Sequence, residues 1–289
     1  MKPGRGIDHL VLCVRSLDAA REAYARMGFT LTPPAQHPWG TGNSLVQLQG
    51  NFLELLAVVD EKKMMPPGRG EFAFGLFNQA FLERREGFSM LVFASDDARR
   101  DQAEFAGAGL QTYAPFEFSR KAKLPGGDEV TVGFSLAFVT DPRMPEAAFF
   151  VCQQHAPQHF WKPDYQRHAN GALAVSEVVM RAEEPALLAE LFIKLQGRDA
   201  VSAGTGQLLV NTARGRVAVL DPRGAAERFG DALPRGPQSP HFIAYRITVA
   251  DIGKTKALLD DAGLAYRAQD GALQIAAKDA FGTVLEFAA

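Results

Sequence analysis

The chain has only two cysteines among 289 residues. That is too few for the disulfide framework of a secreted scaffold, so Cys13 and Cys152 read as thiols in a reducing compartment. A basic excess is also missing. Thirty-one Lys and Arg stand against 33 Asp and Glu, for a formal net charge of -2. No surplus cation is left to neutralise a phosphate backbone, and nucleic acid is not an expected partner. No apolar run reaches the roughly 18 residues of a membrane helix. Asp8 and His9 interrupt the apolar stretch near the N-terminus, so neither a membrane anchor nor a signal peptide is expected. The Gly-x-Ser-x-Gly turn of an α/β-hydrolase is absent. Gly126-Gly127-Asp128 lacks the Lys and following helix of a phosphate loop, and reads as a loop between strands. What remains is a cytoplasmic protein acting on something small or on another protein.

What is present is a repeat. Ile7–Val14 is β-branched and apolar, as a strand is. Ser16 follows as an N-cap, then Leu17, Ala20, Tyr24 and Met27 recur at helical spacing, and Gly28 closes the helix. The same events recur at Ser89–Ala94 with a helix over 96–107, at Glu177–Ala182 with a helix over 184–195, and at Ala244–Val249 with a helix over 251–262. From His9, Ser89, Glu177 and Ala244 to Gly28, Gly109, Gly197 and Gly263 the distances are 19, 20, 20 and 19 residues. Three strand-like segments follow each helix, beginning in the first unit with Phe29–Pro33. Each unit therefore reads β-α-β-β-β. The spacing predicts an α+β fold of four such modules. An insertion at 60–86 includes a short helix near Phe77–Arg85, and a His- and aromatic-rich connector begins at Ala156 and runs to 168 or just beyond.

Strand residues alternate faces. Ile7, His9, Val11 and Cys13 share one face of the first strand, and Leu10, Leu12 and Val14 the other, which should pack on the helix. In the fourth strand Phe52, Glu54, Leu56 and Val58 share a face. A lone carboxylate in such a run must be paired, hydrogen-bonded or metal-bound, because burying it alone is costly. Glu286 has the same setting in the last unit.

A His in the first strand and a Glu in the fourth strand of a β-α-β-β-β module resemble the vicinal oxygen chelate superfamily. That superfamily includes glyoxalase I, extradiol dioxygenases and bleomycin-resistance proteins. The stretch GIDHLVLCVRSLDAAREAYARMGF, then HPWGTGN, then NFLELLAV is similar to its glyoxalase-like-domain branch. The resemblance implies that the modules pair into two domains, over residues 1–168 and 169–289, with cup-shaped, partly open barrel sheets. It also implies a divalent metal held by first- and fourth-strand residues, and a substrate with vicinal oxygens.

Carried over residue by residue, the resemblance places His9 and Glu54 as metal ligands. It puts Ser89 at the second module's first-strand position, and no carboxylate in Phe149–Gln154. His155, which closes that strand, is the candidate to complete a set suited to zinc, nickel, manganese or iron(II). Glu54 and His155 are the catalytic candidates; His37, Trp39, Ser89, Cys152 and Arg246 are substrate-binding candidates. Glu177 and Glu286 mark a second site. The expected activity is that of a metal-dependent lyase or isomerase of glyoxalase type on a small molecule, with a homodimer as the assembly. The alternatives are a binding protein of bleomycin-resistance type and an iron(II) ring-cleaving dioxygenase, for which the two histidines of the C-terminal pair are missing. Without metal, His9 would simply hydrogen-bond Glu54. The Cys152, His155, His159 and His168 spacing fits no standard zinc module and reads as a connector. Asn43 reads as bonding the backbone of its own turn.

Overall fold

The computed structural model describes residues 5–123 and 129–289; the Gly126-Gly127-Asp128 loop lies outside the described residues. The first unit runs β1 (Ile7–Cys13), α1 (Leu17–Arg26), β2 (Ala35–Gln36), β3 (Thr41–Gln47) and β4 (Phe52–Val58). The insertion carries α2 (Phe74–Arg84). The second unit is β5 (Gly87–Ala94), α3 (Ala98–Gly107), β6 (Gln111–Thr112), β7 (Phe116–Lys123), β8 (Glu129–Thr140) and β9 (Ala148–Gln154), followed by α4 (Pro157–Phe160) in the connector. The third is β10 (Ala172–Arg181), α5 (Ala189–Gln196), β11 (Val201–Gly204), β12 (Gln207–Asn211), β13 (Arg216–Leu220) and α6 (Pro222–Phe229). The fourth is β14 (His241–Val249), α7 (Ile252–Asp261), β15 (Arg267–Gln269), β16 (Ala272–Ile275) and β17 (Val284–Ala288).

The α+β fold of four repeated modules is present. Units one and two share one sheet in the order β2-β3-β4-β1-β5-β9-β8-β6, with β7 paired to β8. Units three and four share another, β11-β12-β13-β10-β14-β17-β16-β15. Neither sheet closes into a barrel. Within each sheet the first strands of the two units pair antiparallel, β1 with β5 and β10 with β14, which makes the two modules near-twofold mates. No helix among the described residues is long and apolar enough to cross a membrane.

The helix boundaries follow local chemistry. The Ser16 side chain accepts from Ala19 N, Asp97 from Arg100 N and Asp251 from Gly253 and Lys254 N, each answering donors that the first turn leaves open. Gly28 ends α1 at φ +85, where a side chain would also meet Asn170. The helix-side faces of both sheets join in one core that holds Leu10, Leu12, Leu53, Leu55, Phe149, Phe192 and Phe242. Phe88 stacks on Phe242 at 4.1 Å across the two sheets.

Three expectations fail locally. Phe29–Pro33 is not a strand; Phe29 instead packs on Tyr24 and Phe287. Ile7 lies on the helix-side core, not with His9. The cause is an irregularity in the β1–β5 register between Ile7 and His9, which breaks the two-residue alternation at Asp8. Finally, α6 occupies a stretch that had no predicted element.

Candidate functional site

The second face of the N-terminal sheet forms a narrow cavity of about 60 Å³. Its walls are aromatic, with Phe52, Phe74, Phe116, Phe118, Phe134 and Phe150 among them, and its polar groups are His9, His37, Asn43 and Glu54. The β7–β8 hairpin supplies Phe116, Phe118, Phe134 and Leu136, so a feature of the second unit roofs a site whose polar groups come from the first.

His9 sits at the centre of the sheet on β1. Its ring stacks on Phe52 at 4.2 Å with an interplanar angle of 13°. Its Nδ1 lies 2.5 Å from Asp8 Oδ1, and both residues are buried. Asp8 reaches that position because of the bulge. Its other oxygen accepts from Gln154 Nε2 at 3.2 Å. With Nδ1 engaged by the Asp8 carboxylate, the ring is oriented and Nε2 is turned toward the cavity. That Nε2 faces Glu54 Oε2 at 3.8 Å.

Glu54 is 6% exposed. Asn43 Nδ2 donates to its Oε1 at 2.6 Å, so Asn43 serves the carboxylate, not the turn as expected. His37 Nε2 lies 3.9 Å from the same oxygen, and its Nδ1 is 2.8 Å from Thr41 Oγ1. The His37 ring stacks on Trp39 at 4.7 Å. The turn that brings this pair in depends on Gly40, at φ +87, where a Cβ would fall 2.3 Å from the Asp60 carbonyl oxygen. Trp39 Nε1 is buried with no hydrogen-bond partner.

Cys152 also lines the cavity; burial pushes its thiol well above the usual range, so it is a neutral, apolar neighbour. Ser89 does not line it. The Ser89 hydroxyl donates to Asn78 Oδ1 at 2.8 Å and lies 3.3 Å from Cys13 Sγ. His155 is exposed and its Nε2 bonds Ser135 Oγ at 2.8 Å. Phe134, Leu136, Phe150 and Cys152 face the cavity, so by alternation Ser135 and His155 belong to the other side of the sheet. His168 is tied to the backbone of Thr30 and Gln47, within the connector.

In the C-terminal sheet, charged side chains paired with one another occupy the equivalent place. Glu177 accepts from Arg216 Nε at 2.7 Å and from Arg228. Glu286 accepts from Arg228 Nη2 at 2.8 Å, Arg246 Nε at 2.5 Å and Gln274 Nε2 at 2.8 Å. Burial alone would raise the Glu286 carboxyl, but the contacts with Arg228, Gln274 and Arg246 together outweigh it and hold the group below the usual carboxylate range. Arg246 is therefore spent on Glu286, away from the cavity. Arg228 comes from α6, whose start had a readable signal in Asp221-Pro222, an N-cap followed by proline at the first helical position.

Whether the cavity fits a divalent ion turns on its donors. His9 Nε2 and Glu54 Oε2 present two lone pairs within reach of one ion. Among the described residues no three His, Cys, Asp or Glu groups come together as a metal set. Where the second unit would supply donors, the cavity has Phe150 and a neutral Cys152 thiol. The residues present do not fit a three- or four-ligand protein site.

Residues 7–195 match the glyoxalase-like domain family. No curated protein matches. Among solved structures, a hypothetical protein from Staphylococcus aureus superposes with a TM-score of 0.67 at 15% identity, covering 98% of both chains. A mutant of 4-hydroxymandelate synthase from Streptomyces coelicolor gives 0.58 at 13%, covering 99% of this chain and 92% of that one. A Mn(II)-bound glyoxalase from Novosphingobium aromaticivorans gives 0.58 at 13%, covering 99% and 82%.

Proposed function

Because the chain belongs to the glyoxalase-like domain family, we propose that its N-terminal cavity takes one small, largely apolar molecule with neighbouring oxygens and moves a proton on it. The observation that carries this reading is the buried Glu54 carboxylate, held by Asn43 at 2.6 Å and facing His9 Nε2 at 3.8 Å. Two acceptors at that separation suit two adjacent hydroxyl groups. Asn43 occupies Glu54 Oε1, which leaves Oε2 to take a proton. His9, oriented by Asp8, presents Nε2 to the second oxygen. Proton removal beside an oxygen, with return at the neighbouring carbon or loss of a leaving group, is isomerase or lyase chemistry. The aromatic walls exclude water and strengthen these contacts.

The test is a panel of small diols and hydroxyketones, followed by quenching of tryptophan fluorescence and by exchange of carbon-bound protons in deuterated water. Glu54→Gln should keep binding and lose exchange. If no compound both binds and exchanges in the wild type, the catalytic reading fails. Binding without exchange would favour the second reading, a sequestering protein of bleomycin-resistance type, for which the apolar lining speaks. Stoichiometric manganese, zinc, nickel or iron in the purified chain, lost in His9→Ala, would replace the metal-free scheme.

A further inference from the structure

The repeat gives the N-terminal cavity an internal control. Glu54 stands on the fourth strand of the first unit, and Glu286 on the fourth strand of the last. Glu286 is met by guanidinium groups, Arg228 Nη2 at 2.8 Å and Arg246 Nε at 2.5 Å. Glu177 in the same sheet is met by Arg216 and Arg228. Glu54 has no such answer among the described residues. Its partners are the Asn43 amide and two imidazoles, His9 and His37, at 3.8 and 3.9 Å. No Lys or Arg lines the cavity. A second carboxylate, Asp8, is buried behind His9.

Glu54 is buried yet belongs to the cavity wall. Its Oε2 faces His9 Nε2 from beyond hydrogen-bond distance, so that oxygen is available to a ligand. The other walls suit the same sign of charge. Trp39 stands at 82° to Phe116 and 86° to Phe118, with ring centres 5.0 and 5.1 Å apart. Phe74 stands at 84° to Phe150, and Phe134 at 83° to Phe160. Rings set at right angles around one space turn faces as well as edges toward it, and the faces carry the negative side of the ring quadrupole. A positive charge over such faces is attracted, more strongly where water is excluded. An anion would meet Glu54 and the same faces with the opposite sign.

We propose that the ligand of this cavity carries a positive charge, as an alkylammonium group beside its neighbouring oxygens. The inference rests on the reading of the cavity as the ligand site given above. The ligand brings to Glu54 the charge that arginines bring to Glu286. Ring faces and the Glu54 carboxylate hold the ammonium, while the adjacent hydroxyls meet Glu54 Oε2 and His9 Nε2. With little water between them, opposite charges attract more strongly than at the surface.

Three small diols of similar size test this: 3-amino-1,2-propanediol, its neutral isostere 1,2-butanediol, and glycerate as the anion. The alkylammonium is charged at about pH 7. Affinities are read by isothermal titration of the full chain at constant ionic strength, with EDTA present so that no metal ion stands in for the ammonium. The aminodiol should bind about tenfold or more tighter than butanediol, the scale of a desolvated cation–π contact. Glycerate should bind weakest. Glu54→Gln should bring the aminodiol close to butanediol. Phe118→Leu keeps an apolar wall but removes a ring from the half-buried hairpin. It should weaken the aminodiol about threefold or more and butanediol less, and it keeps the test decisive if Glu54→Gln fails to fold. An aminodiol that does not saturate, or that binds no tighter than butanediol, overturns the inference, as does a preference unchanged in both variants. Proton exchange separates this result from the reading beneath it. Butanediol that binds and exchanges beside an aminodiol that binds no better removes the charge alone. An aminodiol preferred but not exchanged sustains the charge and removes the chemistry.

Discussion

Tyr24 and Tyr245 meet hydroxyl to hydroxyl at 2.6 Å, one from the first unit and one from the fourth, and both are fully buried. Burial drives both phenols well above their ordinary range, so each stays neutral and one must donate to the other. Tyr245→Phe leaves the Tyr24 hydroxyl without its partner in an apolar surrounding. A loss of about 1–3 kcal/mol is expected. The double variant Tyr24→Phe/Tyr245→Phe, with no orphan left, should recover much of it. A double-mutant cycle in urea measures the coupling; strict additivity would refute the account.

Arg228 bridges Glu177 and Glu286. Arg228→Met keeps the volume and removes the charge, leaving two buried carboxylates short of a partner. The expected loss is about 3–5 kcal/mol, the range for breaking a buried pair from one side. Thermal or urea unfolding reads it. Ligand binding in the N-terminal cavity should be unchanged in whatever fraction folds, and a matching loss there would mean that the two sheets are coupled.

His241 gives a pH dependence. Burial holds its imidazole down at about 4, with Arg85 and Arg181 adding to the effect against a hydrogen bond to Ser239. In the unfolded chain the group titrates near its ordinary 6.5. Between these values the unfolded state binds a proton that the folded state refuses. Stability from this residue is therefore fully present above about pH 6.5 and falls as pH drops toward 4, by roughly 3 kcal/mol in all. His241→Gln should flatten that part of the stability–pH curve. An unchanged slope between pH 6.5 and 4 would remove His241 as its source.

Asp8→Asn tests the orientation of His9. The amide can present its N–H to Nδ1, so the ring proton moves to Nε2 and points at Glu54. Nitrogen chemical shifts of the His9 ring should show that exchange of tautomers. Proton exchange on a bound molecule should fall by about 10- to 100-fold, the scale seen when an orienting partner is lost. Affinity should change less. Retention of the Nδ1–H tautomer in Asp8→Asn would show that Asp8 does not set it.

Much of the fold was legible because its signals are local and repeated. Ser16, Asp97 and Asp251 cap helices, and Gly28, Gly109, Gly197 and Gly263 all adopt positive φ after them. Glu54 was legible from alternation alone. His9, His37, Trp39 and Cys152 were also named from the sequence, and they line the same cavity; the remaining parts were hidden for physical reasons. Asp8 takes its place through a backbone irregularity that no residue type announces. Gln154 stands at the last position of β9, so its cavity-side orientation depends on where the strand ends; His155, one residue later, falls on the opposite side. Arg228 lies on the short helix α6, whose Asp221-Pro222 start could have been read. The roofing Phe116 and Phe118 sit on a hairpin whose pairing is set by partners rather than by its own pattern.

The irregularity at Asp8 gives β1 two phases. Before it, Ile7 obeys one frame; after it, Leu10 and Val11 obey another. Side-chain identity in this strand is thus read against a backbone shift, much as a codon is read against a frame. A one-residue deletion there would keep the residue types from His9 onward. It would nonetheless set the imidazole out of step with Glu54 and turn a leucine toward the ligand. The chemistry of the cavity is therefore written in the count of residues in β1 as well as in their names.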